Sequence, residues 1–316
     1  MDFSSYKDTQ SIAQDIRSIK IQGATNVALA TIYGVRLVLK QFDAHETNPR
    51  IFDHIIAIGS ALANIRPNEP LAKNFIKYLK SSVISKKTLE LSTETFMKSV
   101  EEACDEYLNI IEGSKNGILK YGLAHLKSVD AIFTHCHSST AENLIIGLKN
   151  KNKDLKVVCT ETRPLFQGRI TATNLIENGV DTTMIADSAA ESYITGKGLF
   201  NIDVVFIGAD EIDIHGNAMN KIGSLGVVLA AYFANKPVYV ITPFLKVDTD
   251  TAIKPFIVER RDPKEVWDKA PKGLKIDNPS FDIVPSNLIT GYITEFGLIY
   301  PADVVRNIRE KYGWLF

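Results

Sequence analysis

Cys136 stands between two histidines and ahead of three hydroxyl residues, in the run Thr134-His135-Cys136-His137-Ser138-Ser139-Thr140. The apolar stretch 129–133 before it has the length of a buried strand, and 141–148 after it repeats apolar residues at helical spacing. The cysteine therefore sits at a strand-to-helix turn. Backbone N–H groups and hydroxyls at a helix N-terminus form an anion site. The same positive end predicts a stabilised thiolate. A reactive thiol beside an anion cradle points to a phosphorylated substrate. A buried cysteine next to an ordinary Ser/Thr helix cap is the competing reading of the turn alone.

Other residue types that carry chemistry follow in order. Residues 160–169 hold Arg163, Gln167, Gly168 and Arg169, a set suited to a phosphate or a sugar hydroxyl, although a solvated loop has the same composition. Asp187-Ser188 reads as a helix N-cap. Asp210 comes directly after an apolar run and Gly208-Ala209. Paired with a thiol, it could shuttle protons at a carbon next to a carbonyl. Asn220-Lys221 stand at the mouth of a further helix, where the lysine would meet a phosphate as a point charge. The run His135-Cys136-His137 is a poor metal triad, because neighbours in extended chain point to opposite faces. There is no CxxC, HExxH or Walker loop, and Gly196-Lys197-Gly198 lacks the strand and helix of a dinucleotide loop.

Two kinds of element must position these residues. Residues 1–128 read as an N-terminal helical domain. Phe96, Val100, Cys104, Leu108 and Ile111 form one apolar stripe, which makes Cys104 a core residue. The helix expected over 25–40 is apolar nearly all round, a sign of deep burial or a subunit contact, and Pro67 and Pro70 open another helix. From 129 to 316 short apolar runs alternate with helices. Strands are expected at 131–134, 156–159, 182–185, 204–207 and 237–241, with helices at 142–149, 169–178, 188–195 and 223–235. That alternation predicts an α/β, Rossmann-like doubly wound parallel-sheet domain, with ligands at the carboxyl ends of the strands. The polar stretch 247–285 reads as a flap or an interface arm.

The bulk composition fits a globular enzyme: 316 residues, 45% hydrophobic, 23% charged, net charge -1. That charge supplies no general field for nucleic acid or an anionic membrane. The first residues have no apolar signal core, and three cysteines in so long a chain suit reduced thiols in a cytoplasm.

Taken together, the motifs resemble one superfamily. The His-Cys-His-Ser run around Cys136, Glu161-Thr162-Arg163-Pro164 with Gln167-Gly168-Arg169, Gly208-Ala209-Asp210 and Asn220-Lys221-Ile222-Gly223 occur in that order. So do Lys20-Ile21-Gln22-Gly23-Ala24, Ala63-Asn64-Ile65-Arg66-Pro67 and the tail segments 281–285 and 288–295. This pattern is similar to the superfamily of archaeal ribose-1,5-bisphosphate isomerases, methylthioribose-1-phosphate isomerases and the alpha, beta and delta subunits of translation initiation factor 2B. His-Cys-His-Ser-Ser-Thr looks most like the bisphosphate isomerases. The methylthioribose enzymes typically carry Asn and Gly after the cysteine. Two positions depart from the family: Gln22 stands where Arg is usual, and Asn68 where Thr is favoured.

The resemblance implies an aldose-to-ketose isomerisation of alpha-D-ribose 1,5-bisphosphate to D-ribulose 1,5-bisphosphate, within AMP salvage, with no cofactor and no metal. It implies Cys136 and Asp210 as the acid/base pair, through either an enediol-type intermediate or a hydride shift from C2 to C1. For substrate contacts it implies Gln22, Gly23, Ala24, Arg66, His135, Ser138, Ser139, Arg163, Gln167, Asn220 and Lys221. Arg17 or Lys20 would replace the missing arginine charge. The expected partners are the sugar bisphosphate, AMP as an activator and further copies of the chain, in a dimer-based hexamer to which helix 25–40 and the tail 312–316 contribute. The alternatives are a methylthioribose-1-phosphate isomerase or a non-catalytic regulatory subunit like those of initiation factor 2B.

Overall fold

The structure, a computed structural model, describes residues 3–43 and 45–316. It forms two compact units, the first taking in the chain up to Gly113 with Leu245–Thr249 and Ile308–Phe316, the second Ser114–Phe244 with Asp250–Asn307. The division falls inside a long helix rather than near residue 128, and two later segments join the helical unit.

In the helical unit, α1 (Thr9–Arg17), α2 (Ala24–Leu39), α3 (Asn48–Ala63), α4 (Pro70–Ser85) and the start of α5 (Thr93–His125) pack together. Proline opens α4 at a position whose N–H would have no helical partner anyway. The all-round apolar pattern of α2 reflects deep burial: Val27, Ala28, Ala30, Ile32 and Val35 are essentially inaccessible. Gly34 makes that packing possible, since a Cβ there would lie 2.4 Å from Leu62 Cδ1. Cys104 is fully buried, as its stripe requires. Asn74 Nδ2 donates to the carbonyls of Leu245 (2.7 Å) and Val247 (3.0 Å), which draws the start of the supposed flap into this unit. Trp314 meets the Tyr78 ring edge-on at 5.1 Å and Leu315 is buried, so the tail read as an interface piece packs within its own chain.

The second unit is built on β1 (Ala131–Thr134), α6 (Ser139–Lys151), β2 (Lys156–Thr160), α7 (Gly168–Glu177), β3 (Asp181–Ile185), α8 (Ala190–Ser192), β4 (Val204–Ile207), β5 (Glu211–Ile212), β6 (Ala218–Lys221), α9 (Ser224–Phe233), β7 (Val238–Ile241), β8 (Phe281–Val284), β9 (Gly291–Thr294) and β10 (Gly297–Ile299). A last helix, α10 (Val304–Lys311), follows. The main sheet has seven strands in the order β10-β9-β7-β4-β1-β2-β3, parallel except for the β9–β10 edge. The helix expected over 188–195 is instead a series of single turns around α8, ended by Gly196 at φ +85°.

This order fixes the site. From β1 the chain runs outward through β2 and β3, and from β4 it runs the other way through β7 and β9. β1 and β4 are therefore the switch point, where open parallel sheets bind ligands at the carboxyl edge. Thr134 pairs with Cys159 on one side and Phe206 on the other, so the loops after β1, β2 and β4 leave at one level. A second, antiparallel sheet β5-β6-β8, unmarked in the sequence pattern, carries Asn220 and Lys221 to that edge. Among the described residues, no helix is long and apolar enough to cross a membrane.

Candidate active site

Cys136 occupies the first residues beyond β1 with a left-handed backbone, φ 68°. That conformation costs a non-glycine residue about 1–2 kcal/mol and persists only where neighbours hold it. Here both backbone polar groups are held: its N–H donates to Thr162 Oγ1 (3.0 Å) and its carbonyl accepts from Thr171 Oγ1 (3.1 Å).

Asp210 follows β4 at the same edge and is half-buried. Its charge raises the Cys136 pKa, while Lys221 lowers it, so the three residues form one electrostatic group. Burial is the largest influence on the thiol and pushes it up to about 12. Burial therefore opposes the thiolate expected from the helix dipole, and with its pKa so raised Cys136 carries its proton at neutral pH.

Glycines set the spacing of this edge. A Cβ on Gly208 would lie 2.9 Å from Ser138 Cβ and 3.6 Å from Asn220 Oδ1, so the β4 loop, the α6 cap and β6 converge there. Gly223, at φ +100°, lets His135 come within 2.9 Å of where a Cβ would sit.

The expected ligand residues differ in how far the fold already occupies their polar groups. Ser138 caps α6 by accepting from Ala141 N, which leaves its own hydroxyl hydrogen to donate, and Ser139 is exposed in the first turn. Asn220 donates to Ser224 Oγ at 2.8 Å. Lys221 stacks its ammonium 4.9 Å from the Phe281 ring centroid. Gln167, at the start of α7, buries an Oε1 with no hydrogen-bond partner. His135, by contrast, is 2% exposed, with Nδ1 2.6 Å from Thr160 Oγ1 and Nε2 2.8 Å from the Ile222 carbonyl oxygen. Both ring nitrogens are spent inside the fold, which corrects its reading as a substrate contact. Arg163 donates to the Val266 carbonyl (2.8 Å) and lies over Phe166, so its guanidinium serves the 258–278 loop instead. Asp187 caps no helix of its own: it accepts from the backbone N–H groups of Thr162 (2.7 Å) and Arg163 (2.6 Å).

Gln22, Gly23, Ala24 and Arg66 belong to the helical unit. Gly23 precedes α2 at φ +82° and no side chain caps that helix. Lys20 pairs with Asp15 at 2.6 Å.

Residues that sequence reasoning missed are mostly those that position others. Thr160 and Thr162 sit inside a motif read for its arginine, and Asp282 on β8 accepts from the N–H groups of Gly223 and Leu225 at the start of α9, about sixty residues away in sequence. Glu142 is buried beside His137 (3.5 Å) and takes two bonds from Asn174, with its pKa raised by desolvation.

The initiation factor 2 subunit family model matches residues 20–301. The chain belongs to that family. It is 32% identical over 305 residues to ribose 1,5-bisphosphate isomerase from Methanocaldococcus jannaschii, covering 96% of this chain and 94% of that protein. It is also 34% identical over 302 residues to methylthioribose-1-phosphate isomerase from a Thermoanaerobacter species, covering 90% and 86%. Among solved structures, translation initiation factor eIF-2B from Pyrococcus horikoshii superposes with a TM-score of 0.78 at 22% identity, over 94% of this chain and 98% of that one, a likeness of fold. On these relationships the chain is an isomerase of this family, an intramolecular oxidoreductase.

Proposed function

We propose that the chain converts alpha-D-ribose 1,5-bisphosphate to D-ribulose 1,5-bisphosphate. The observation that carries this reading is the protonated Cys136 thiol grouped with Asp210 and Lys221 at the switch point, next to the hydroxyl-rich start of α6. The similarity to the Methanocaldococcus isomerase supports the same substrate.

The anomeric phosphate blocks simple ring opening, so the ring oxygen must gain a proton as the C1–O bond breaks. Cys136, protonated and buried, is the acid for that step. Asp210 is the base. In the enediol route it takes the proton from C2 and returns it to C1, and the 2-hydroxyl proton restores the thiol. In the hydride route the C2 hydrogen moves to C1 with its electron pair, Asp210 takes the 2-hydroxyl proton, and that proton returns to the thiol before the next turn. Either route nets no oxidant and no water. Ser138 and Ser139 with the α6 N-terminus would take the phosphate on C5. Lys221 and Gln167 would take the C1 end, the orphaned Gln167 Oε1 accepting a sugar hydroxyl. The family resemblance adds copies of the chain and AMP as partners.

The Thermoanaerobacter relative favours a second reading, methylthioribose 1-phosphate as substrate. Ser138 and Ser139 weigh against it, because hydroxyls suit a phosphate better than a thiomethyl group. Turnover measured with each of the two sugar phosphates decides between them. Conversion of the bisphosphate alone is the expected result, and conversion of the thiomethyl sugar alone would overturn it.

A further inference from the structure

The Ile222 carbonyl and the burial of His135 together set the direction of a hydrogen-bond chain beneath Cys136. The Ile222 carbonyl can only accept, so His135 Nε2 carries a hydrogen (2.8 Å). The ring is buried, and desolvation is the largest influence on it, favouring the neutral form; the bond to the Ile222 carbonyl, Asp187 and Asp282 pull the other way and Lys221 adds to the burial effect. A neutral ring protonated at Nε2 has a lone pair at Nδ1, which accepts the Thr160 hydroxyl hydrogen at 2.6 Å. Thr160 Oγ1 then has lone pairs only, and accepts the Thr162 hydroxyl hydrogen at 3.1 Å, closer than the competing Thr160 carbonyl oxygen at 3.5 Å. Thr162 Oγ1 in turn accepts the Cys136 N–H at 3.0 Å. Asp187 fixes the Thr162 backbone from behind, through its N–H at 2.7 Å.

We infer that Thr160 and Thr162 are positioning residues for the Cys136 acid, a one-way relay from the Cys136 N–H to Nδ1 of His135. The chain carries no proton to the reaction. It holds a strained left-handed residue at one orientation, joining the loops after β1, β2 and β6. A valine at 162 keeps the shape and removes the acceptor, leaving a buried N–H without a partner. Serine keeps the hydroxyl.

This inference rests on Cys136 being the acid of the proposed reaction, but two of its readouts need no substrate. Nitrogen-15 spectra of the full-length protein should show His135 neutral with its hydrogen on Nε2 at pH 7, and a Nδ1-protonated or charged ring would overturn the relay. Alkylation of Cys136 by iodoacetamide, followed by mass spectrometry of its peptide, should be about tenfold faster in Thr162→Val and unchanged in Thr162→Ser. With substrate, Thr162→Val should lower kcat about 10- to 100-fold with KM within about twofold, and Thr162→Ser should restore it. A Thr162→Val protein that labels and turns over like the parent overturns the inference. If no sugar phosphate is turned over by the parent protein, the functional proposal fails while the spectra and labelling still judge the relay.

Discussion

Two helices open onto the same edge of the sheet and differ in what fills their N-termini. At α6 the cap is local: Ser138 serves the Ala141 N–H, and the run of hydroxyl residues continues into the first turn. At α9 a distant carboxylate has already moved in. Asp282 Oδ2 accepts from Gly223 N (2.8 Å) and Leu225 N (3.0 Å), so the positive end of that helix is neutralised from β8. Both mouths follow conspicuous motifs, His-Cys-His-Ser and Asn-Lys-Ile-Gly. A helix N-terminus read from sequence as an anion site is thus only half an observation. What the rest of the chain places there decides whether an outside anion is bound. On this account α6 receives the phosphate on C5, whereas the α9 mouth is a rigid platform behind Lys221 of β6.

The contrast can be broken or sharpened by substitution. The largest effect is expected at Asp210, which follows β4 and acts electrostatically on Cys136. Asp210→Asn should cut kcat by about 10²–10⁴-fold with an unchanged circular dichroism spectrum; a loss below fivefold would remove it from the acid/base pair. Next comes Ser138→Ala at the α6 mouth. Losing a charge-assisted bond of about 1.5–3 kcal/mol should raise KM by at least tenfold. Loss of the cap should also lower stability by about 1 kcal/mol in urea unfolding. The matching change at the other mouth, Asp282→Ala, should cost about 0.5–2 kcal/mol of stability and leave KM within about twofold. An equal rise in KM for both variants would erase the difference between the helices.

The smallest effect is a matter of pH. Burial raises the Cys136, Cys104 and Cys159 thiols from 9.0 to about 12. The unfolded chain would release these protons from about pH 9 upward, so their contribution to stability is fully present below pH 9 and is lost as pH climbs toward 12. Alkylation of native Cys136 should accordingly keep rising beyond pH 9. A plateau reached near pH 8 would mean that the helix dipole, rather than burial, governs the thiol.

How much of this could be read from sequence follows from the range of the interactions. Strand β1 and the α6 turn were legible because apolar spacing and an N-cap are local signals, and so was the place of Asp210 after β4. The small sheet was not, because β6 pairs with β8 some sixty residues away and each strand has only four residues. The same distance hid the role of Asp282, which the sequence showed only as part of the 281–285 tail motif. The state of Cys136 was misread for a related reason: spacing reveals the helix dipole, but desolvation depends on everything packed around the thiol. His135 and Arg163 carry the right chemistry for a ligand, yet the fold spends them on Thr160 and Ile222, and on Val266.

The most direct test of the central claim compares the purified protein with its Cys136→Ser variant on alpha-D-ribose 1,5-bisphosphate, following ribulose 1,5-bisphosphate by phosphorus NMR. The account predicts conversion by the parent protein and none detectable in a well-folded variant, since serine supplies a far weaker acid at the same place. Full activity of the variant would contradict it.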